Sequence, residues 1–375
     1  MFRQRTSPDL GIGLTYRLDG SLFNLRRLQC PTKTSRSVIT ELQYADDCML
    51  AAHSPDELQE ALEALSGVYR DLGLAVNTNK TEVMFQWTGE RPLVDPVMKI
   101  GEAELNEVDK FTYLGSTLSA DCSADAEINQ RINKASASFA QIRKRVIANH
   151  NLKIATKVAV YRAICLSVLL YASKIFTLYR RHLKQLESFH MQCLKKILRL
   201  TWQDRVSYVD ILKRTGMVSA ECLLLRNGLR WTGHVLRMPD SRLPKQVLYG
   251  QLTEGNRNIG RPKLRFKDHI KNSMKIFNLN PMNLESIAEN RGQWRHAVHR
   301  GASHFENERT RARIEKSRRR HAGPQPTSGD PDPNLVCPEC GRVCGSLVGL
   351  RSHQRKHERE AARRHRVIVG NDGQP

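Results

Sequence analysis

The chain has 375 residues, a formal net charge of +22 and a pI near 9.9. A charge this large favours a polyanionic partner, with nucleic acid first, an anionic membrane surface second and a merely solvated basic surface as the alternative. The N-terminus lacks the apolar core of a signal peptide. The most apolar run, residues 158–172, is short and carries Arg162, so it predicts a buried helix rather than a membrane span.

The nine cysteines do not form the pattern of a disulfide framework. Most are scattered through apolar or mixed surroundings, and three crowd into residues 337–344. This distribution is typical of an intracellular protein with one metal site.

Residues 41–53, ELQYADDCMLAAH, place two adjacent aspartates, Asp46 and Asp47, between two apolar runs. The pattern predicts strand, turn and strand over residues 38–52. Taken alone, the turn has two interpretations. It is either the metal-binding turn of a nucleic-acid polymerase or an exposed acidic hairpin, where aspartate is common.

The next segment, SPDELQEALEALSGVYRDLGL, predicts a helix. Ser54 suits the N-cap, Pro55 suits the first helical position, and Glu57 completes a capping box. Gly73 is placed to end the helix. Apolar residues recur at three- and four-residue steps along one face: Leu58, Leu62, Leu65, Tyr69 and Leu72.

Strand–turn–strand is predicted within residues 74–85 and a further strand within 110–119, after which the pattern becomes helical. One apolar stripe consists of Ile128, Ile132, Ala135, Phe139, Ile142 and Val146. Further helices are predicted over residues 151–199, 205–213, 218–237 and 262–277. The basic run 309–321 leads into a Pro/Gly/Ser/Asp-rich segment, 322–334, which should not pack.

Residues 337–357 have the spacing Cys337-x2-Cys340-x12-His353-x3-His357. Two thiolates on a tight hairpin and two imidazoles one helical turn apart can surround Zn²⁺ tetrahedrally. Leu350 occupies the position of the core leucine in a Cys2His2 zinc finger. So small a unit needs the metal for its folding free energy, on the order of 10 kcal/mol.

Cys344 stands where such fingers usually carry a bulky aromatic residue. We interpret it as a small buried thiol, with ligand exchange or redox sensitivity as the alternative. By resemblance to other fingers, the base-reading positions are Ser346, Gly349 and Ser352, none of which can bond a purine edge in bidentate fashion. Contacts to phosphates are predicted instead for Arg351, Arg355 and Lys356.

The order of these predicted elements resembles the C-terminal half of a reverse transcriptase palm. The elements are, in sequence, the aspartate hairpin, the helix, a loop with Lys80 and the strands at 110–119. The nearest likeness is to the non-LTR (LINE-type) retrotransposon reverse transcriptases, and it covers nearly the whole chain. It is carried by LDGSLFNLRRL (18–28), ELQYADDCMLAAHSPDELQ (41–59), GLAVNTNKTEVM (73–84), KFTYLGSTLS (110–119), RINKASASFAQIRKRV (131–146), LYRRHLKQLESFHMQCLKKIL (178–198), LRWTGHVLRMPDSRLPKQ (229–246) and the terminal finger.

The resemblance implies nucleotidyl transfer with two Mg²⁺ ions. Asp46 and Asp47 would be metal ligands, Tyr44 would support the turn or the primer terminus, and Lys80 could protonate the pyrophosphate. The residues placed against the primer backbone would be Phe111, Tyr113, Leu114 and Gly115. The basic run adds nucleic-acid contacts at Arg318, Arg319 and Arg320.

The chain departs from this family at one decisive point. A working palm takes another metal-binding aspartate from an upstream strand, and the acids before Tyr44 are Asp9, Asp19 and Glu41, none of which resembles that motif. There is also no room for a fingers subdomain or the usual endonuclease. We therefore expect a 5′-truncated element without independent polymerisation.

The predicted fold class is α+β: a truncated, mixed α/β reverse transcriptase palm, then a mainly α-helical thumb and post-polymerase region, a disordered basic linker and a small ββα zinc finger. The predicted boundaries are 1–119 for the partial palm, 120–200 for the helical thumb, 201–308 for the post-polymerase region, 309–334 for the linker, 335–360 for the finger and 361–375 for a disordered tail.

Three functions compete. The first is a fragment of an RNA-directed DNA polymerase that keeps binding of RNA or DNA and of Zn²⁺ without autonomous catalysis. The second is an active or trans-complemented reverse transcriptase that uses Mg²⁺, and the third is a co-opted zinc-finger regulator. We expect a nuclear location, with the cytoplasm as a further possibility, no membrane partner, and an oligomeric state that the sequence does not define.

Four other features each allow a structural and a functional interpretation. The Glu187-x-x-His190 pair has the spacing of half a di-iron site, but without a second copy it predicts a helix surface, and so does His182. Trp202, Trp231 and Trp294 predict core packing, with base stacking second. The segments RWTGHVLRMPDSRLPK and GNRNIGRPKLRFKDH suit phosphate or RNA contact, with a solvated face as the alternative.

Overall fold

The computed structural model describes residues 5–7, 10–86, 96–255, 260, 262–321, 335–344 and 346–369. The predicted linker segment 322–334, the end of the predicted tail at 370–375, and Asp9 lie outside the described residues. The chain divides into two compact units, residues 1–310 and residues 311–375.

The strands are, in chain order, β1 (Ile12–Tyr16), β2 (Ser35–Ile39), β3 (Glu41–Tyr44), β4 (Asp47–Leu50), β5 (Glu82–Val83), β6 (Lys99–Ile100), β7 (Ala103–Glu104), β8 (Asn106–Glu107), β9 (Lys110–Tyr113), β10 (Ser116–Ser119) and β11 (Gln251–Leu252). They form small sheets: β11–β1–β2 is three-stranded and antiparallel, and the two-stranded sheets are β3–β4, β5–β8, β6–β7 and β9–β10. The β5–β8 pair is parallel.

The helices are α1 (Pro55–Asp71), α2 (Asp125–Ile142), α3 (Ile154–Tyr161), α4 (Ser167–Leu169), α5 (Arg180–Leu198), α6 (Tyr208–Thr215), α7 (Ala220–Leu236), α8 (Leu243–Tyr249), α9 (Phe266–Ile276), α10 (Leu284–Glu289), α11 (Arg291–His321) and α12 (Leu347–Val369). Wider π-type turns, Arg143–Ile147 and Arg162–Leu166, extend α2 and join α3 to α4. Short 3-10 helices lie at Leu25–Gln29, Pro31–Lys33, Thr78–Lys80, Ser173–Ile175 and Pro281–Asn283.

The start of α1 confirms the predicted cap. The Ser54 hydroxyl accepts a hydrogen bond from the Glu57 amide at 3.2 Å, which satisfies one of the free amides of the first turn. The Glu57 carboxylate accepts from the His53 amide rather than closing the box on Ser54. Gly73 follows the helix with φ +72°. The prediction that Leu72 belongs to the buried apolar face is wrong, because Leu72 is 57% exposed at the end of the helix.

The helical region is built around two apolar clusters. The first lies between α2 and α7, and the buried run at 158–172 belongs to it through Val158, Tyr161, Cys165 and Leu169. The second joins α7 to α11 and includes Leu22 from the N-terminal part of the chain. The first cluster also contains Ile211 and Leu212, so the apolar packing continues across the predicted boundary at residue 200.

Two local predictions are wrong. No strand forms at residues 74–77, and the predicted strand pair becomes a 3-10 turn (Thr78–Lys80) followed by the short strand β5. Residues 309–321, predicted to begin the linker, instead continue α11 to His321. Arg and Lys are good helix formers, and the Glu315–Arg319 pair at 2.8 Å supports the last turns. Among the described residues, no helix is long and apolar enough to cross a membrane.

Candidate nucleic-acid and metal sites

The aspartate turn is a tight two-residue hairpin. In β3–β4 Tyr44 pairs with Asp47, which leaves Ala45 and Asp46 as the loop. Ala45 has φ +53°, in the left-handed region that a residue with a Cβ rarely adopts. A positive φ at the first loop position matches the twist of the flanking strands. The turn therefore presents both carboxylates at the exposed tip of the hairpin.

The predicted primer-contact segment is a second hairpin. In the β9–β10 hairpin, Tyr113 pairs with Ser116, so Leu114 and Gly115 form the loop. Both have a left-handed backbone conformation, with φ +47° and φ +77°. This is the turn geometry that two-residue hairpins prefer. The rings of Phe111 and Tyr113 lie on one face and stack with centroids 6.4 Å apart.

The two hairpins are joined by a hydrogen bond. The Tyr113 hydroxyl donates to the carbonyl of Leu42 in β3 at 3.0 Å. A tyrosine hydroxyl is protonated at neutral pH and so can donate, and burial raises the pKa of Tyr113 further. The aspartate turn and the predicted primer-contact turn are thus held in one arrangement.

The helical region holds the second hairpin by its turn. The Arg131 guanidinium donates to the carbonyl of Gly115 and pairs with Glu127 at 2.7 Å. The other oxygen of Glu127 accepts from the Thr117 amide at 2.7 Å. The Tyr171 hydroxyl donates to the carbonyl of Leu114 at 3.0 Å, and its ring lies 4.5 Å from the Arg131 guanidinium carbon.

The sequence interpretation did not single out these supporting residues. The i,i+4 spacing of Glu127 and Arg131 was the available signal, but its target, the turn of the second hairpin, is a tertiary feature.

The described residues do not bring a third carboxylate to the aspartate turn. In those residues, one group of three or more His, Cys, Asp or Glu side chains could hold a metal, and it lies in the C-terminal unit. Asp19 is engaged elsewhere, because its carboxylate accepts two hydrogen bonds from Arg17 at 2.5 and 2.6 Å. The Arg17 side chain lowers the pKa of Asp19 to about 2. Asp46 and Asp47 alone do not fit a two-metal site.

Lys80 and Tyr44 are both exposed. Lys80 ends the 3-10 turn Thr78–Lys80, and within the described ranges no hydrogen bond or ion pair joins it to Asp46 or Asp47. Tyr44, beside the turn, is 64% exposed. Their predicted roles toward pyrophosphate and primer remain predictions.

The C-terminal unit has the local structure that its sequence predicts for a metal-binding hairpin and helix. Val336 and Val343 form an antiparallel bridge, and the Cys337 amide donates to the carbonyl of Arg342 at 2.9 Å. Gly341 has φ +67°, a conformation that glycine adopts without strain, and this closes the turn between the thiols. The helix α12 follows, and its residue Leu350 is buried.

The four predicted ligands converge. One ligand atom from each of Cys337, Cys340, His353 and His357 lies within 4.8 Å of the others. The Cys340 sulfur is 3.0 Å from Nε2 of His353, which in turn is 3.1 Å from Nε2 of His357. A donor set of two thiols and two imidazoles at these separations fits a tetrahedral Zn²⁺ ion.

A charged neighbour supports this ligand set. The Glu339 carboxylate lies 3.5 Å from Nδ1 of His357, so it can orient the ring and leave Nε2 toward the metal. Partial desolvation, with a contribution from His357, lowers the pKa of His353 and favours the neutral imidazole that binds metal.

Cys344 is not part of this group. It is half-buried rather than buried as predicted, and its amide donates to the carbonyl of Leu335 at 2.8 Å. The predicted reading positions Ser346, Gly349 and Ser352 are exposed, and the Ser346 hydroxyl accepts from the Gly349 amide at 3.1 Å.

The predicted phosphate-contacting residues lie on exposed helix surfaces. Arg351, Arg355 and Lys356 are exposed on α12, and Arg318 and Arg319 are exposed near the end of α11. Arg319 pairs with Glu315 at 2.8 Å. The side chain of Arg320 lies outside the described residues.

The predicted helix-surface position of Glu187, His190 and His182 is wrong, because all three side chains are buried. Glu187 pairs with Arg309 of α11 at 2.7 Å and accepts from the Ala220 amide at 2.8 Å. These are packing partners from distant parts of the sequence, so helical periodicity within α5 did not reveal them.

His190 bridges two elements. Its Nε2 lies 3.1 Å from the carbonyl of Val218, and its Nδ1 lies 2.8 Å from the Tyr161 hydroxyl. His182 bonds Asp125 at 2.9 Å. Both rings therefore serve the packing of the helical region.

The tryptophans differ from one another. Trp294 is buried, as predicted, and its indole N–H donates to the carbonyl of Leu229 at 2.9 Å. Trp231 is partly buried at the edge of the second apolar cluster. The prediction is wrong for Trp202, which is 82% exposed in the turn before α6.

The N-terminal part of the chain is similar to a known protein family. Residues 21–118 match the family described as reverse transcriptase (RNA-dependent DNA polymerase). The chain is also similar to a putative uncharacterized transposon-derived protein of Caenorhabditis elegans, with 23% identity over 272 residues, which cover 71% of this chain and 97% of that protein.

Both likenesses support the predicted resemblance to retrotransposon reverse transcriptases at a general level. The matched region contains the aspartate hairpin and ends in β10. The two hairpins joined by Tyr113 therefore both belong to the part that is similar to a reverse transcriptase.

Proposed function

We propose that this chain is part of a non-LTR (LINE-type) retrotransposon reverse transcriptase that binds RNA or DNA and Zn²⁺ but does not polymerise DNA on its own. The observation that carries the proposal is the aspartate hairpin, bonded to the primer-contact hairpin but without a third carboxylate among the described residues.

The expected lack of polymerisation follows from the small number of carboxylates that can hold metal ions. Nucleotidyl transfer needs metal ions that are shared between the attacking hydroxyl and the leaving pyrophosphate. Two exposed carboxylates on one turn hold a divalent ion weakly, because water competes for both of them. Asp46 and Asp47 then retain the position of a catalytic turn without its full ligand set.

The binding part rests on the net charge of +22 and on exposed basic side chains. Arg318, Arg319, Arg351, Arg355 and Lys356 lie on helix surfaces. Side chains of this kind contact phosphates, which fix position but carry no base sequence. Ser346, Gly349 and Ser352 cannot supply bidentate contacts to purines, which argues against a sequence-specific regulator.

The zinc part rests on the four converging ligands Cys337, Cys340, His353 and His357. The metal would supply the folding free energy that a unit of this size lacks. A Cys2His2 finger on a basic chain would add phosphate contacts, and a nuclear location would suit a protein that acts on DNA.

A second candidate is a reverse transcriptase completed in trans by another chain. The bond from Tyr113 to Leu42 favours it, because it preserves the relation between the two hairpins that a supplied third carboxylate would require. This candidate predicts synthesis that depends on Asp46 and Asp47.

The binding proposal is tested by titrating the full chain with labelled RNA and DNA oligonucleotides over a range of salt concentrations. We expect log K to fall linearly with log salt, with a slope of roughly −0.9 per phosphate contact on duplex DNA and about −0.7 on single strands. A matched oligonucleotide with an uncharged backbone should lose most of its affinity. Binding that is indifferent to salt, or a sharp consensus in random-sequence selection, would contradict the proposal.

A further inference from the structure

A cavity of about 620 Å³ lies in the helical region, and none of its lining residues belongs to the two hairpins or to the Cys and His cluster. Its walls come from α7, from the N-terminal turns of α11 and from the short helix Ser173–Ile175. The cationic side chains that line it are Lys174, Arg230, Arg237, Arg291 and Arg295. Among the residues that the structure describes, no carboxylate lines it.

The walls are held firmly. The Trp294 indole donates to the carbonyl of Leu229, which fixes the start of α11 against α7. Gly233 permits this approach, because a Cβ there would stand 2.1 Å from Nε1 of Trp294. The Arg237 guanidinium donates to the carbonyl of Ala288 at 2.6 Å. The cavity is therefore preformed rather than a gap between mobile surfaces.

Within the described ranges, the cations in this cavity lack acidic partners. In the part of the chain that the structure describes, no ion pair joins Lys174, Arg230, Arg237, Arg291 or Arg295 to a carboxylate. Burial, with a contribution from nearby Arg291, lowers the pKa of Arg237. Arg230 also stands four residues after Arg226 of α7, which is outside the cavity lining, and like charges at this spacing destabilise a helix. Such a cluster is stabilised when an anion occupies it.

An aromatic ring shares the cavity. Trp231 lines the wall and is only partly buried, with the Lys174 ammonium 5.7 Å from its ring centroid. The centroids of the Trp231 and His234 rings are 5.3 Å apart, and the two ring planes are inclined at 49°. A flat apolar ring beside several guanidinium groups is the combination that binds a base together with its neighbouring phosphates.

We propose that this cavity is a binding site for a single-stranded segment of nucleic acid, with phosphates bonded by Arg230, Arg291, Arg295 and Lys174 and a base stacked on Trp231. A cavity of this volume is in the range of small-ligand sites, so it takes a short stretch of strand rather than a duplex. The inference deepens the proposed nucleic-acid binding by assigning part of it to the helical region.

The charge test uses the full chain with Zn²⁺ and a fluorescein-labelled single-stranded oligonucleotide, followed by anisotropy over a salt series. Arg230→Gln/Arg295→Gln removes two exposed guanidinium groups of the cavity. Lys213→Gln/Arg214→Gln removes two exposed charges of α6 and is the matched control. We expect the cavity variant to bind about tenfold more weakly. Because each lost phosphate contact on a single strand reduces the slope of log K against log salt by roughly 0.7, the loss of two contacts should reduce that slope by about 1.4. The control should change affinity about twofold or less.

The stacking test compares Trp231→Leu with Trp231→Phe. Loss of the stacked base should weaken binding about tenfold without changing the salt slope, and Phe should restore most of the affinity because it keeps an aromatic face. Thermal unfolding of each variant checks that the fold is intact. If the Leu and Phe variants bind equally, the stacking role is overturned.

Three results separate the possibilities. Cavity variants that bind like the control overturn this inference while the proposed function stands. A parent chain that binds no oligonucleotide contradicts both. Displacement of the oligonucleotide by ATP at concentrations far below those of competing unlabelled strand would show a nucleotide site, which overturns the assignment to a strand.

Discussion

The hydroxyl of Tyr113 donates a hydrogen bond of 3.0 Å to the carbonyl of Leu42, and this bond joins the predicted primer-contact hairpin to the aspartate hairpin. The helical region reaches the same assembly through Arg131 and Tyr171, which bond the turn at Gly115 and Leu114. The aspartate turn is thus connected to α2 by a continuous series of contacts.

The first prediction concerns this bond. Tyr113→Phe keeps the ring but leaves the Leu42 carbonyl without its donor, at a cost of about 1 kcal/mol. We expect amide hydrogen exchange in residues 41–50 to become about fivefold faster, because that free energy governs local opening. Tyr44→Phe, which changes an exposed hydroxyl on the same hairpin, is the control. Equal exchange rates in the two variants would show that the bond does not stabilise the hairpin.

A second prediction concerns the close approach of α11 to α7. Gly233→Ala places a methyl group 2.1 Å from Nε1 of Trp294, which is buried and bonded to Leu229. The overlap should lower the free energy of unfolding by about 3 kcal/mol, measured by urea unfolding.

Gly228→Ala is the matched control for that variant. It lies on the same helix, and its added Cβ would meet the Lys174 carbonyl at an ordinary 3.7 Å. Because Ala favours helix over Gly, this variant should be neutral or stabilised by up to about 1 kcal/mol. If both variants lost the same stability, helix geometry rather than the Trp294 contact would be responsible.

The third prediction concerns zinc. The purified chain should carry one Zn²⁺ per molecule, and Cys340→Ser or His357→Ala should lose it together with the fold of the C-terminal unit. Cys344→Ser should retain the metal, because Cys344 lies outside the ligand group. Metal analysis measures the zinc content of each variant, and the visible spectrum of the Co²⁺-substituted protein reports its metal ligands. Zinc loss in Cys344→Ser equal to that in Cys340→Ser would contradict the ligand assignment.

The fourth prediction concerns pH. Since the Val218 carbonyl can only accept, Nε2 of His190 carries the proton, and Nδ1 accepts from the Tyr161 hydroxyl. Burial is the main cause that lowers the pKa of His190. Arg309 also lowers it, while Glu187, Glu306 and the bond to Val218 act in the opposite direction. A folded pKa below the unfolded value of about 6.5 means that the unfolded chain takes up the proton first as the pH falls.

Stability should therefore decrease from about pH 7 downward, by at most about 1.4 kcal/mol per pH unit for this proton. His190→Gln should weaken that dependence, even if it lowers stability at pH 7. His299→Gln, at an exposed position of α11, is the control and should leave the pH profile unchanged. Helical circular dichroism during urea unfolding at several pH values makes the measurement. Identical pH profiles in parent and His190→Gln would contradict it.

Local chemistry made part of this structure predictable. Ser54 and Pro55 define the start of α1, the alternation around Asp46 and Asp47 defines a hairpin, and the Cys and His spacing predicts which four side chains converge in the C-terminal unit. Each of these features is determined by residues close together in sequence, where capping, turn geometry and ligand spacing act directly.

The errors concern contacts between distant residues. Glu187 is buried because Arg309, which is 122 residues away, pairs with it. Trp202 is exposed although it is large and apolar, and the cationic cavity forms only when α7, α11 and residue 174 meet. The sequence shows Arg226, Arg230 and His234 at four-residue steps on α7 and Arg237 directly after its end, but it does not show which elements pack against them.

The central claim is that the chain binds nucleic acid with a vestigial catalytic turn. It is tested most directly by primer extension on a poly-A template with Mg²⁺ or Mn²⁺. The parent is compared with Asp46→Ala/Asp47→Ala, and binding of the primer–template is first shown for both proteins. We predict that both proteins bind and that neither extends the primer. Extension by the parent that the double variant loses would contradict the claim, because it would mean that the aspartate turn still holds a complete set of metal ligands.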